Sequence, residues 1–158
     1  MRVISNKFPM LKIGEGFTGE RSIVLPSMVR NIAANDPLVS RLYVTDIGYY
    51  PHATYHYRER KEAVPQYILI YCAKGSGWYS VHRQRYTIGE NQFFIIPAGT
   101  PHLYASNNDD PWTIYWVHFT GSDSPLFGDD CREPHDIIPG GDSRINDRNV
   151  IFEEIFLT

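Results

Sequence analysis

The side chains that could do chemistry in this 158-residue chain fall in a few short stretches. Trp112, Ile114, Trp116 and His118 alternate along one segment, and His102 and Tyr104 alternate along the segment before it. If both segments are strands, each set shares one face. An indole covers the apolar C–H face of a sugar, while arginine and tyrosine hydrogen-bond to its hydroxyls. The pattern fits a pocket for a neutral, hydroxyl-rich small molecule and calls for no cofactor. Plain packing is the competing account. It is the better one for Trp112, and Arg58 and Arg60 by themselves read as a solvated face. A second chemistry is metal binding. His52 and His56 are four residues apart and share a strand face, Glu59 is near, and His102 is a third candidate. Histidine and carboxylate suit Fe, Mn, Ni or Zn. However, Pro51 disturbs that strand, and the basic Arg58-Glu59-Arg60-Lys61 stretch opposes a cation.

These residues need strands to position them, and the composition supplies strands. Eleven Tyr, eight Phe and three Trp, punctuated by 12 Gly and 11 Pro, favour many short strands over helices. Strand candidates run from 42 to 50, 54 to 60, 67 to 73, 78 to 82, 85 to 88, 93 to 96, 102 to 106 and 112 to 119. The 67–73 run is almost wholly apolar, as for a strand covered on both faces. Gly75-Ser76-Gly77 allows a turn or bulge, and a hairpin turns around Arg83-Gln84. Pro97-Ala98-Gly99-Thr100-Pro101-His102 reads as a tight turn at the mouth of a barrel, presenting His102 to a cavity. Eight or so such strands make a sandwich or barrel, so the fold class is all-β.

The domain plan has three parts. Residues 1–40 form an N-terminal arm and lead-in, with Phe8, Met10, Leu11 and Phe17 as anchors and 26–34 a short helical turn. Residues 41–122 form the barrel. Residues 123–158 form a linker with little core, then a helix beginning near Asn149. That helix carries an apolar stripe of Ile151, Phe152, Ile155 and Phe156 and stops without a cap, as the start of a longer helix would; a terminal helix docked on the barrel is the alternative reading. The net charge of −3 and pI near 6.0 argue against nucleic-acid binding by this chain. The two cysteines, Cys72 and Cys131, form neither a zinc knuckle nor a disulfide framework. No signal-peptide pattern and no membrane-spanning run is read, so a cytoplasmic location is expected.

Three blocks in order resemble the N-terminal effector-binding domain of AraC-type transcription regulators: 67–78, the Ile95–Tyr104 turn, and Trp112–Phe119. The likeness covers roughly residues 40–122. It implies a cupin-like, jelly-roll barrel with an N-terminal arm, followed in the family by helices and a DNA-binding domain with two helix-turn-helix motifs. It implies a small effector, often a sugar, inside the barrel. Residue by residue, Arg60 falls on a ligand-contacting arginine, Tyr104 on a pocket tyrosine beside His102, and Trp116 on a tryptophan that stacks on the sugar. Ile114 stands where the arabinose sensor has a polar histidine, which points away from arabinose. DNA would be reached only through the absent C-terminal domain, and residues 1–17 would move when the effector binds. A homodimer is also expected, and a pure dimerisation module without ligand is a third reading. The metal-enzyme alternative lacks the His-x-His of cupin enzymes.

Overall fold

The computed structural model describes residues 11–137 and 143–157, with side chains from residue 147 onward in the second stretch. Among the described residues ten strands and three α-helices follow one another: β1 (Arg21–Val24), α1 (Ser27–Asn35), β2 (Tyr43–Tyr50), β3 (Tyr57–Arg60), β4 (Tyr67–Lys74), β5 (Gly77–Val81), β6 (Gln84–Ile88), β7 (Gln92–Ile96), β8 (His102–Ser106), β9 (Thr113–Thr120), α2 (Ser124–Gly128), β10 (His135–Asp136) and α3 (Ser143–Leu157). The strands form two antiparallel sheets, one ordered β1-β2-β9-β4-β7-β10 and the other β3-β8-β5-β6. The expected all-β, cupin-like jelly roll is the observed fold. Among the described residues no helix is long and apolar enough to cross a membrane.

The sheets face each other because alternate residues of each strand are apolar. Ile68, Ile70 and Cys72 of β4, Phe94 and Ile96 of β7 and Ile114 of β9 meet Tyr79 and Val81 of β5 and Ile88 of β6. Tyr79 stacks on Phe94 with ring centroids 3.6 Å apart, which ties the two layers together. Each large apolar side chain buried here contributes about 1.5–3 kcal/mol. The other face of β4 is covered too, which explains its unbroken apolar run. Tyr67 packs with Ile95 and Phe119, and its hydroxyl donates to Asp129 Oδ1 at 2.8 Å. Tyr71 and Tyr115 stack on Phe152 of α3 at 5.8 and 4.5 Å. Glu153 of α3 accepts from the Tyr115 hydroxyl at 2.7 Å and pairs with Arg21 of β1. The large sheet is therefore a single-layer septum: one face fronts the barrel interior and the other carries α3.

Several expectations need correction. The first strand is β1, which pairs with β2, and not the segment at 42. Its four residues are exposed, so no burial pattern announced it. The 26–34 segment is a full helix on the surface, with none of its residues buried. β3 starts at Tyr57, because Tyr55 takes a left-handed φ of 61° that ends any strand there. The hairpin turns at His82-Arg83, whose φ values of 50° and 64° fit a two-residue turn. The stretch after 121 is not a bare linker. It holds α2 and β10, and α3 begins at Ser143, six positions before the expected Asn149. Its first turns are polar, so the apolar stripe marked only its second half. In the arm, Leu11 is exposed, Phe17 packs on the core, and Phe8 and Met10 lie outside the described residues.

Candidate functional site

A cavity of about 200 Å³ opens between the sheets at the β1–β2–β9 end. Strand alternation brings its wall together. Ile114, Trp116 and His118 come from β9, Asp46 and Tyr50 from β2, Arg58 and Arg60 from β3, and Tyr104 from β8. Ser22 and Val24 of β1, His56 and Ile70 complete it, with Glu15 from the arm. The arm is held by main-chain bonds, Ile13 N–H to Tyr55 O and Tyr57 N–H to Ile13 O, both at 2.9 Å. Arg58 Nη2 donates to Gly14 O at 3.0 Å, and Phe17 packs on the rings of Tyr50 and His56. Residues 13–17 thus close one side of the cavity.

Two tryptophans reach their positions because a glycine lies under each. Gly48 pairs with Trp116 across β2 and β9, and a Cβ on Gly48 would come within 2.0 Å of Trp116 Cε2 and Cζ2. That close approach seats one indole face on the β2 backbone and leaves Trp116 lining the cavity. Trp112 rests on Gly77 in the same way, where a Cβ would meet its Cε3 at 2.2 Å. Gly77 is therefore a strand residue under a ring rather than part of a turn. Trp112 is fully buried, as its core reading expected, and donates from Nε1 to His56 Nδ1 at 3.1 Å. The acceptor role of Nδ1 leaves Nε2 as the protonated nitrogen of His56. Trp116 Nε1 is buried and has no acceptor among the described residues.

Arg60 Nη1 donates to the Tyr104 hydroxyl at 3.1 Å and lies 3.4 Å from His102 Nε2. His102 Nδ1 is 2.8 Å from Thr100 O. A carbonyl only accepts, so Nδ1 carries the proton and Nε2 accepts from Arg60. Of the four residues singled out from the sequence, Arg60, Tyr104 and Trp116 line the cavity. His102 does not; it sits buried behind Arg60 and orients it. Arg58, His56 and Asp46 are wall residues that the sequence reading left aside or read otherwise, whereas His118 joins the wall on the face it was expected to share with Trp116. Arg58 was taken as solvated, although its two-residue spacing from Arg60 was a usable signal.

Burial pushes three histidines toward their neutral forms. His56 is lowered to about 3 by burial, with a smaller effect from Arg58. His102 is lowered by burial, opposed by its bond to Thr100. His118, 3.4 Å from Asp46, is lowered by burial despite that carboxylate. Because the unfolded histidines titrate near their ordinary value of about 6.5, the unfolded state binds more protons at lower pH. Stability from these groups is complete above about pH 6.5 and is lost as pH falls from there toward 3. Urea midpoints measured from pH 7.5 to 4 should fall steadily, and His56→Gln should flatten the curve.

The metal arrangement is not assembled. His52 is exposed in the turn after β2, whereas His56 and His102 are buried. Among the described residues no group of three or more His, Cys, Asp or Glu is placed to hold a metal ion.

Comparison with known proteins adds the family. Residues 46–133 match the AraC-like ligand binding domain. The MmsAB operon regulatory protein of Pseudomonas aeruginosa is 34% identical over 101 residues, covering 61% of this chain and 33% of that protein. The raffinose operon transcriptional regulatory protein RafR of Pediococcus pentosaceus is 33% identical over 55 residues, covering 34% of this chain and 20% of that protein. The chain thus spans about a third or less of the length of these regulators. Among solved structures, YhaK from Escherichia coli aligns with a TM-score of 0.50 at 12% identity, over 66% of this chain and 46% of that one, a likeness of fold. With more than half its length in the family match, the chain belongs to the AraC-like ligand-binding domains.

Proposed function

We propose that this chain is the effector-sensing part of an AraC-type transcription regulator, and that a hydroxyl-rich small molecule of the carbohydrate class occupies the cavity. The observation that carries this reading is the convergence of the Trp116 ring, the Tyr104 hydroxyl and the Arg60 guanidinium on one 200 Å³ space. A flat aromatic wall and a few fixed polar groups are what a sugar site needs. The buried Trp116 Nε1 without an acceptor also points to a missing partner. The volume lies below the roughly 300–1,000 Å³ of sites for drug-sized ligands, which selects a monosaccharide-sized effector over an oligosaccharide. The name of the raffinose regulator is consistent with the carbohydrate class, although the cavity here is small for a trisaccharide.

Thermal-shift and calorimetric titration against a panel of monosaccharides tests the assignment. A ligand specific for the folded state raises the midpoint by mass action. Trp116→Ala should weaken binding of any hit by the stacking contribution of about 0.5–1.5 kcal/mol beyond lost area. Unchanged affinity in that variant would remove Trp116 from the site.

The division of labour follows the relatives' length. DNA contact would belong to sequence beyond this domain, since the chain carries a net charge of −3 and specific contacts need a set of basic groups on phosphates. In a mobility-shift assay residues 1–158 alone should leave operator DNA unshifted; a tight, sequence-specific complex would overturn the assignment. The pairing-module reading rests on α3, where Ile151 and Leu157 are 57% and 85% exposed, and it is compatible with a ligand in the barrel.

A further inference from the structure

We propose that the effector carries a carboxylate and that Arg60 receives it, so that the cavity is built for a hydroxylated acid such as a uronate. This rests on the carbohydrate reading of the same cavity and replaces the neutral ligand expected from the sequence.

The argument starts from charge. A guanidinium withdrawn from water is costly unless an anion or several good acceptors meet it. Arg60 is only part-exposed, and its two partners, the Tyr104 hydroxyl and His102 Nε2, are neutral and share a single nitrogen, Nη1. Nη2 and Nε of the same fork have no partner among the described residues. Arg58 likewise gives Nη2 to a neutral acceptor, the Gly14 carbonyl. Neither arginine is in an ion pair among the described residues.

The two acids of the cavity, Asp46 and Glu15, form no ion pair with either arginine among the described residues. Asp46 accepts from Thr45 Oγ1 at 2.5 Å and lies 3.4 Å from His118. Glu15, exposed on the arm, lines the same cavity at its edge. The site therefore presents a planar fork with unused donors and no acid paired to it among the described residues. A carboxylate matches that fork with two parallel hydrogen bonds, which a hydroxyl cannot do. The remaining polar wall suits hydroxyls. Asp46 can accept, His56 can donate from Nε2, and Trp116 offers its ring to the C–H face. Water solvates part of Arg60 while the cavity is empty, so the gain on binding is a charge-assisted bond in place of that water.

Matched pairs of probes isolate the carboxylate. D-galactose and D-galacturonate differ only in the oxidation state of C6, and so do D-glucose and D-glucuronate; glycerol and glycerate form a smaller pair. Calorimetric titration of residues 1–158 at pH 7 should find a uronate bound about tenfold or more tightly than its neutral partner, the step expected for hydrogen bonds to a charged group. Arg60→Met, its fold checked by thermal midpoint, should bring the two within about threefold. Arg60→Lys should lie between, because it keeps the charge and loses the fork. A neutral sugar bound as tightly as its uronate in the unaltered chain would overturn the acidic effector and leave the carbohydrate reading standing. Binding of glycerate without any sugar or uronate would keep the carboxylate and overturn the carbohydrate class. Binding of none of the six at saturating concentration would overturn both.

Discussion

Gly48→Ala is expected to abolish effector binding while the barrel stays folded. Its new methyl would stand 2.0 Å from Cε2 and Cζ2 of Trp116 and 2.3 Å from Nε1, so the indole must leave its seat. Both residues sit on paired strands of the large sheet, and the backbone beneath cannot yield without breaking the β2–β9 ladder. The ring's way out is into the cavity, whose 200 Å³ it would largely fill. Overpacking of this kind costs about 1–3 kcal/mol of stability, a fraction of what a domain of this size holds. Binding is affected far more, because the ring changes from wall to occupant. A double-mutant cycle separates the two effects. In a Trp116→Ala background the Gly48 methyl meets no ring, so its stability cost should nearly vanish. Equal cost in both backgrounds would show that Gly48 acts through backbone conformation instead.

Trp112→Ala is expected to produce the largest loss of stability of any single change discussed, about 3–5 kcal/mol from the cavity it leaves. Trp112 is fully buried, rests on Gly77 and packs beside His56 and Tyr104. Its Nε1–H also satisfies His56 Nδ1, so removal leaves a buried acceptor unpaired, a further cost of about 1–3 kcal/mol. Chemical denaturation of Trp112→Ala and Trp112→Phe distinguishes the contributions: phenylalanine restores much of the volume but no donor. If Trp112→Phe is as stable as the unaltered chain, the hydrogen bond to His56 contributes little. Because His56 lines the effector cavity, Trp112→Phe should also alter binding, whereas a residue concerned with packing alone would not.

The two tryptophans show what could be read from sequence and what could not. Alternation along 112–118 placed Trp112, Ile114, Trp116 and His118 on one face; the structure puts the last three in the cavity wall and Trp112 in the core. The same period on β8 grouped His102 with Tyr104, but His102 sits one layer back, where Thr100 O fixes the proton on Nδ1 and Nε2 accepts from Arg60. Period alone cannot tell a wall residue from its support. Gly48 carried no visible signal, because a glycine inside a strand reads as punctuation until the register sets it opposite Trp116. β1 went unread because four exposed residues have no inside face of their own. It nonetheless supplies Ser22 and Val24 to the cavity and Arg21 to Glu153 of α3. The start of α3 was hidden by its polar first turns, and the continuous apolar run of β4 was explained only once α2 and α3 were seen to cover its outer face.

Charge was the least legible feature. Arg58 and Arg60 have the spacing of a common strand face, yet whether such a face meets solvent or a cavity depends on what lies opposite. Here the β1–β2 edge lies opposite and the arm runs beside the start of β3; β1 and the arm contribute wall residues from outside the block that resembled the family. The net charge of the chain gave no hint that two guanidiniums would lack acidic partners at one site.

The central claim is that the effector sits against Trp116 inside the barrel. The chain holds three tryptophans, Trp78, Trp112 and Trp116, so its indole N–H resonances form a three-signal map of the molecule. A nitrogen–proton correlation spectrum, assigned with Trp116→Phe, would be recorded during titration with whichever of the paired sugars and acids raises the thermal midpoint. The account predicts a saturable shift of the Trp116 signal, a smaller one at Trp112, whose partner His56 lines the cavity, and none at Trp78, which packs under Arg85 on the other sheet. A ligand that raises the midpoint while moving Trp78, or while leaving Trp116 unmoved, would contradict it.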